Sequence, residues 1–336
     1  MAKLIGFDIG EDSVKLAYFS GRTLKKTVQV DMPDAMVSGG RILSMDAMAD
    51  FLRAAARENG IPLAGAALAL PGKDVFTRTV TVPAMTEQQL IYNLPYEFRD
   101  FLTEEKSKYF FDYSVRSIRR DEAGRPVEME LFACAMLKST VEEYRAMFRR
   151  AGFRLQVLTP VECAYGALLA AREKRTGRSG EDCCIVRLGH STSDLYLYRG
   201  AEFDSRREID IGSARLDELI SEQYGVDVHV ARGYRQHNYN GVLQSDYAQE
   251  LYSRLSVEVV KAVNFYNYNN RDRELKNVYF CGDGSLAGVR RAVSENTRLT
   301  VCPAEELLPE GAHTDDPWVY LCAIGSVNEG IQGGLE

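Results

Sequence analysis

Residues 4–15 read LIGFDIGEDSVK, and this stretch decides the fold that the sequence predicts. Its first part, residues 4–9, is an apolar run typical of a β-strand, and residues 10–12 form a glycine-containing turn. A second strand, over residues 14–19, leads the chain back. Glycine lets the main chain of such a turn approach a phosphate closely, so that backbone N–H groups can bind its oxygens. The stretch therefore predicts a β-hairpin suited to phosphate.

Four residues of this hairpin are candidates for nucleotide binding. Asp8, at the end of the first strand, can hold a Mg²⁺ ion through a bound water. Gly10 opens the turn, Ser13 adds a hydroxyl group, and Lys15 can neutralise phosphate charge. Taken alone, these residues also fit an ordinary hairpin, so the prediction depends on the rest of the chain.

A similar pattern begins near the middle of the chain. Residues 184–189 form an apolar run that ends in a glycine turn, and residues 194–199 return as a strand. A repeat at half the chain length predicts the duplication of one supersecondary unit. Hydroxyl and amide groups of this second turn can face the same phosphates from the opposite lobe. Its candidate nucleotide ligands are Arg187, Gly189, Ser191 and Thr192.

A third turn follows the apolar strand at residues 278–281 and leads into a helix. Bare glycine backbone there can lie against a nucleoside, and the N-terminus of a helix favours an anion or a polar edge. The candidate ligands in this turn are Gly282, Gly284 and Ser285. The three turns therefore occur in a fixed order: a hairpin at the start, a hairpin in the middle and a strand-to-helix turn near the end.

This order resembles the superfamily of actin, hexokinase and the heat-shock-chaperone ATPases. Within it, nearly the whole chain resembles the PilM family of type IV pilus proteins, with the FtsA family of cell-division proteins next. Residues 80–87 before an amphipathic helix, residues 110–113 and residues 203–212 carry this likeness. The resemblance implies an α/β, actin-like (ribonuclease H-like) duplicated fold with two lobes. A nucleotide cleft is expected between the lobes, together with an inserted subdomain of the 1C type.

The same resemblance implies the division of the chain into four parts. The expected bounds are 1–82 with about 153–178 and 319–330 for the lobe I core (1A), 83–152 for the inserted 1C-like subdomain, 181–214 with 277–318 for the lobe II core (2A), and 215–276 for its helical subdomain (2B). Thr86 and Gln89 form a capping box for the first helix of the insert. Ser139 is the expected cap of the helix over residues 140–151. The basic stretch 172–180 is expected to be a linker, with the basic cluster 172–178 as a solvated helix end.

Three residues depart from the pattern of the superfamily. Arg187 occupies the place of an aspartate that helps to position Mg²⁺ or the attacking water, and a cation there favours phosphate binding over turnover. Glu11 replaces a small hydroxyl residue, and its carboxylate repels a γ-phosphate unless it points away. Asp283 narrows the space for a nucleoside. These departures predict weakened or altered nucleotide binding and slow or absent hydrolysis.

The resemblance also implies ligands and partners. ATP or ADP with Mg²⁺ is the expected ligand of the cleft. The expected partner is the N-terminal tail of a PilN-like inner-membrane protein, held in a groove between the 1A and 1C subdomains near residues 70–82 and 86–102. Other pilus assembly components and self-association are further expectations. A cytoplasmic position at the inner face of the membrane, reached through these partners, follows from the same likeness.

Composition excludes several other classes of protein. The net charge of −7 argues against nucleic acid as a partner, and no apolar stretch approaches the roughly 20 residues of a membrane span. The seven cysteines form no CxxC pair, and only four histidines are present, which favours buried reduced thiols over a disulfide framework or a metal site.

Two further functions stay open at this stage. One is an active ATPase or small-molecule kinase, against which the replacement of a carboxylate by Arg187 argues. The other is an FtsA-like filament, but residues 327–336 have too few apolar side chains for a membrane-binding amphipathic helix. The sequence does not separate pilus assembly from secretion or DNA uptake, because these machines share such parts.

Overall fold

The structure is a computed structural model, which describes residues 3–282 and 286–333. The strands are β1 (Lys3–Ile9), β2 (Ser13–Ser20), β3 (Thr23–Asp31), β4 (Val37–Ser38), β5 (Arg41–Ile42), β6 (Gly65–Leu70), β7 (Phe76–Pro83), β8 (Tyr109–Arg120), β9 (Pro126–Leu137), β10 (Arg154–Pro160), β11 (Cys183–Leu188), β12 (Ser193–Arg199), β13 (Glu202–Ile209), β14 (Asn277–Gly282) and β15 (Thr300–Val301). The helices are α1 (Met45–Glu58), α2 (Glu87–Glu97), α3 (Lys138–Ala151), α4 (Val161–Thr176), α5 (Ser213–Tyr224), α6 (Val228–Gln236), α7 (Asp246–Asn269), α8 (Gly288–Asn296) and α9 (Pro317–Gln332).

Two five-stranded sheets repeat one topology. The first has the order β3-β2-β1-β6-β10 and the second the order β13-β12-β11-β14-β15. In each sheet the first three strands pair antiparallel and the last two join in parallel. The duplication predicted from the two glycine hairpins is therefore present in the sheets themselves.

Helices α4 and α9 lie between the two sheets. One continuous apolar core includes residues of both sheets and of both helices, while α1 and α3 cover the other face of the first sheet. The backbone of α9 approaches β1 so closely that a Cβ on Gly6 would lie 1.8 Å from the carbonyl oxygen of Ala323. Gly325 meets the carbonyl oxygen of Ala164 on α4 in the same way, at 2.5 Å from a Cβ. Glycine is required at both positions because any side chain would force these elements apart.

A three-stranded sheet of order β7-β9-β8 forms a separate small core with α2. The predicted capping box at its first helix is present, since the Thr86 hydroxyl accepts from the Gln89 N–H and the Gln89 side chain accepts from the Thr86 N–H. This sheet begins at Phe76, ahead of the expected bound of 83.

The end of the expected insert, at residue 152, also differs from the small core. Helix α3 packs on the first large sheet, where Phe148 meets Phe7 with ring centroids 5.0 Å apart. Ser139 does not cap this helix, because the helix already begins at Lys138 and its N-terminus has no side-chain cap.

Helix α4 ends at Thr176, inside the basic cluster 172–178 that was expected to be a solvated helix end, so only the rest of the stretch 172–180 is a linker. Arg172 is buried and lies 2.9 Å from a carboxylate oxygen of Glu181, so the reading of this arginine as solvated was wrong. All seven cysteines are free thiols, and five of them are buried, as predicted.

Candidate functional site

The two lobes meet at a cavity that contains most of the predicted nucleotide ligands. Nine of them line it: Asp8, Gly10, Ser13, Lys15, Arg187, Gly189, Ser191, Thr192 and Gly282. Gly284 and Ser285, with the neighbouring Asp283, lie outside the described residues. Strands and turns more than 170 positions apart in sequence thus converge, while the role of these residues in nucleotide binding stays a prediction.

Equivalent hydrogen bonds close the two hairpin turns of the cleft. Gly10 N–H donates to the Ser13 carbonyl at 3.0 Å, and Gly189 N–H donates to the Thr192 carbonyl at 3.1 Å. A Cβ on Gly189 would lie only 2.4 Å from the Thr192 oxygen, which explains the glycine at that position. Both turns thus have the tight glycine geometry that lets a main chain approach a phosphate closely, although the N–H groups of Gly10 and Gly189 are used within the turns.

The carboxylate predicted to hold Mg²⁺ is engaged by a cation of the other lobe. Arg187 Nη2 donates to Asp8 Oδ1 at 2.9 Å, and both side chains are largely buried. Glycine turns at this site fit a nucleotide's phosphates, whereas Asp8 in this ion pair does not fit the role of a metal-water ligand. In the described part of the chain, no group of acidic, histidine or cysteine side chains is arranged to hold a metal ion.

Glu11 also bridges the two lobes. Its Oε1 accepts from Gly40 N–H at 2.8 Å, and its Oε2 accepts from the hydroxyl group of Ser191 in the second hairpin. The side chain therefore lines the cavity instead of turning away from it. One predicted phosphate ligand, Ser191, is consequently occupied by a carboxylate.

Asp12, the last residue of the first turn, is held by helix α6 of the second lobe. Arg235 donates to Asp12 at 3.0 Å and to Asp217 on α5 at 2.6 Å, and it is only 1% exposed. Arg232 makes a second ion pair with Asp12. No local pattern in the sequence indicates this clamp, because Asp12 is 223 positions from Arg235.

Other residues of the cleft were also missed. Gly39, Gly40, Lys73, His190 and Arg206 line the same cavity. The paired glycines at 39 and 40, both in the left-handed region, were the one signal that sequence reasoning could have used. Lys73 donates to the Gly39 carbonyl, so this loop closes one side of the cleft.

A second cavity, the groove, lies between the first lobe, the small sheet and strand β13 of the second lobe. Its lining consists of Gly72, Val75, Phe76, Thr77, Arg78, Phe98, Phe101, Glu162, Phe203, Arg206 and Glu208. Its volume of about 380 Å³ lies within the roughly 300–1,000 Å³ of ligand pockets. Residues 70–82 and 86–102, where a partner groove was expected, supply much of this wall.

The groove combines aromatic walls with a buried acid. Glu162, in the first turn of α4, is 3% exposed and accepts a hydrogen bond from the Thr77 hydroxyl at 2.6 Å. Burial raises the pKa of this carboxyl above its ordinary value. Arg206 stands between groove and cleft, since it lines both and donates to Asp194 at 2.7 Å and to Glu208 at 2.6 Å.

Among residues 3–282 and 286–333, no helix combines the length and the apolar composition needed to cross a bilayer.

Comparison with known proteins finds one family and a set of shared folds. The family model described as "Type IV pilus assembly protein PilM" matches residues 6–307. A solved structure of a PilM-PilN type IV pilus biogenesis complex has a chain 18% identical to this one, with 98% of each chain covered and a TM-score of 0.78. The ethanolamine utilization protein EutJ from Carboxydothermus hydrogenoformans is 11% identical over 98% of this chain and 90% of its own, with a TM-score of 0.59. Among curated proteins, none matches by sequence.

These likenesses confirm the actin-like fold predicted from the glycine turns. The confirmation comes from the similarity of the whole fold, since the sequence identity with these solved structures is low.

Proposed function

Because this chain belongs to the PilM family of type IV pilus assembly proteins, we propose that it is a scaffold that binds the N-terminal tail of a PilN-like inner-membrane protein. In this proposal the groove holds the tail, and the partner brings the scaffold to the cytoplasmic face of the membrane, where other assembly components gather. The complex of PilM with PilN among the similar structures supports this choice of partner.

The observation that carries the proposal is the aromatic groove itself. Phe76 lines it from the small sheet, Phe98 and Phe101 line it from the end of α2 and the turn that follows, and Phe203 closes it from the second lobe. Phe101 is 48% exposed, so an apolar side chain of a bound peptide can cover it. Aromatic side chains of this kind contribute much of the binding energy at interfaces.

We further propose that the cleft binds nucleotide weakly and turns it over slowly or not at all. The ion pair between Asp8 and Arg187 supports this, because it occupies the carboxylate that would otherwise face Mg²⁺. The cleft's cavity of about 110 Å³ is also smaller than the roughly 300–1,000 Å³ of ligand pockets, so that a nucleotide can enter only when the lobes separate.

Titration of the full chain with a synthetic peptide tests the proposal. The peptide carries the cytoplasmic N-terminal tail of the PilN-like protein from the same organism, and calorimetry measures its dissociation constant. We expect saturable binding to the native chain and a roughly tenfold or greater loss with Phe101→Ala, as for an aromatic interface anchor.

Phe265→Ala is the matched control, since Phe265 is 65% exposed on α7, away from the groove. We expect it to leave the affinity unchanged. Absence of binding to the native chain at millimolar peptide, or equal affinities for the two variants, would contradict the proposal.

A further inference from the structure

Glu162 is a buried carboxyl in the groove that forms no ion pair with another described residue. Its one hydrogen bond from another side chain comes from Thr77, and it makes no ion pair with any residue in the described ranges. The two arginines of the groove are engaged elsewhere. Arg78 donates to the Glu97 carbonyl and stacks over Phe101, and Arg206 is shared by two other carboxylates.

No described cation of the groove is directed at this acid. Arg206 pairs with Asp194 and Glu208, and Arg78 donates to a backbone carbonyl. Glu162 is therefore a buried carboxyl without an ion pair in the described part of the chain, although two arginines line the same groove. An ionised carboxylate in such a place is costly unless a cation joins it, because burial removes its hydration.

From this arrangement we propose that Glu162 binds a positively charged group of the tail peptide. The inference rests on the proposed function, since it names the chemistry of the segment that the groove holds. The cation is either the α-ammonium at the start of the tail or a lysine or arginine side chain within it. Apolar residues on either side of this cation would lie against the phenylalanines of the groove, whose ring faces also attract cations.

A purely structural role for Glu162 gives different expectations. Acidic residues in the first turn of a helix interact favourably with the helix dipole, so Glu162→Gln would then destabilise the chain at every pH above the carboxyl's ordinary range. In our proposal the ionised, buried Glu162 instead destabilises the folded chain as long as the groove is empty. Glu162→Gln keeps the shape and a hydrogen-bonding partner for Thr77, and it should raise the melting temperature at pH 8.

The sign of this effect follows from the raised pKa of Glu162. Between the ordinary pKa of the unfolded chain and the raised pKa of the folded chain, the folded state holds more protons. Native stability therefore falls as the pH rises through that interval, and the advantage of the glutamine variant grows. Tail binding follows the opposite course, because a proton on Glu162 competes with the cation of the peptide. Affinity should fall in the native chain as the pH is lowered through the raised pKa of Glu162, and it should stay flat in the variant.

Other groups near Glu162 do not account for such a profile. The titratable and charged groups that act on it are Arg206, Asp194, Tyr196, Tyr198, Cys134 and Cys163. Arg78 and Glu208 line the same groove, and Arg206 pairs with both Asp194 and Glu208. Burial raises the pKa of both tyrosines and both thiols, for Cys134 to about 12, so these four groups stay neutral from pH 5 to 8.

The experiment is a double-mutant cycle with the full chain and three synthetic tail peptides. The peptides are the unmodified tail, the same tail N-acetylated, and the tail with its lysines and arginines replaced by methionine. Each is titrated against the native chain, Glu162→Gln and the exposed control Glu218→Gln. We expect Glu162→Gln to weaken the unmodified tail roughly tenfold or more, as for the loss of a charge-assisted bond. One of the two modified peptides should bind the native chain more weakly than the unmodified tail by the same factor. The affinity of that peptide for Glu162→Gln should be little lower than its affinity for the native chain.

The outcomes separate the two proposals. Weakening by acetylation assigns the cation to the α-ammonium, and weakening by methionine assigns it to a basic side chain. If the tail binds native chain and Glu162→Gln alike, or if both modified peptides bind the native chain as well as the unmodified tail does, the inference is wrong and the proposed function stands. If the tail does not bind the native chain at all, both are wrong.

Discussion

At the scale of single residues, the two hairpins carry the same pair of charges in opposite order. Asp8 faces Lys15 across the strands of the first hairpin, and Arg187 faces Asp194 in the second. An unaltered duplication would place two carboxylates against each other across the cleft. The exchange of sign converts that repulsion into the ion pair of Asp8 with Arg187, at 2.9 Å.

This exchange predicts the effect of one substitution on nucleotide affinity. Arg187→Asp frees Asp8 and adds a second carboxylate, the donor type that Mg²⁺ prefers. In the presence of Mg²⁺, we expect the variant to bind ATP at least roughly tenfold more tightly than the native chain does. This is a gain of about 1.4 kcal/mol in binding free energy. Equilibrium titration with ATP and ADP, with and without Mg²⁺, measures the change.

Arg187→Gln is the matched control, because it removes the cation without adding a carboxylate. Thermal unfolding of both variants verifies that the chain still folds. Equal affinities of the aspartate and glutamine variants would show that the charge at position 187 does not limit metal-dependent binding.

At the scale of elements, helix α9 is fitted to the first sheet through glycine. A Cβ on Gly6 would lie 1.8 Å from a carbonyl oxygen of α9, a contact that backbone atoms cannot relieve by a rotamer change. We therefore expect Gly6→Ala to lower the free energy of unfolding by about 1–3 kcal/mol or more, as for overpacked cores. Urea denaturation followed by circular dichroism measures this loss.

Gly233→Ala, in the middle of α6, serves as the control. No atom lies within 4 Å of a Cβ at that position, so alanine should stabilise the helix by about 0.5–1 kcal/mol. A loss of stability in both variants, or in neither, would contradict the close approach of α9 to β1.

Sequence reasoning succeeded for features that depend on neighbouring residues. The hairpins at residues 10 and 189, the capping box at Thr86 and the buried thiols all follow from local pattern. It failed where distant contacts decide. Arg172, expected to be solvated, is buried and pairs with Glu306, 134 positions away. The packing of Phe148 in α3 on Phe7 of the first sheet likewise has no local signal.

The candidate site shows the same division. Its glycine turns were visible in the sequence, because each turn follows an apolar strand directly. The partners of its charged residues were not, since Asp8 and Arg187 are 179 positions apart and no periodic pattern joins them. The acid of the groove, Glu162, gave no signal at all, because a glutamate in the first turn of a helix is ordinary.

At the scale of the whole molecule, buried charges hold the two lobes together. Arg235 joins Asp217 of its own lobe to Asp12 of the other. Loss of one member of a buried ion pair leaves the remaining carboxylate uncompensated, at a cost of about 3–5 kcal/mol. We expect Arg235→Ala to reduce the free energy of unfolding by this amount in guanidinium denaturation.

Arg215→Ala provides the comparison on the neighbouring helix. Arg215 and Glu218 form an exposed pair at 2.5 Å, and such pairs contribute about 0–1 kcal/mol. If both variants lose less than about 1 kcal/mol, the clamp between the lobes does not stabilise the chain as these rules require.

The position of α9 has a consequence for how the chain is made. This helix, residues 317–332, follows every strand of both sheets along the chain, yet it fills the space between them. The shared core therefore lacks one of its two central helices until residues 317–332 have left the ribosome, although domains generally fold from the N-terminus during synthesis. A nascent protein that already contains both sheets is consequently expected to stay only partly packed until α9 is added.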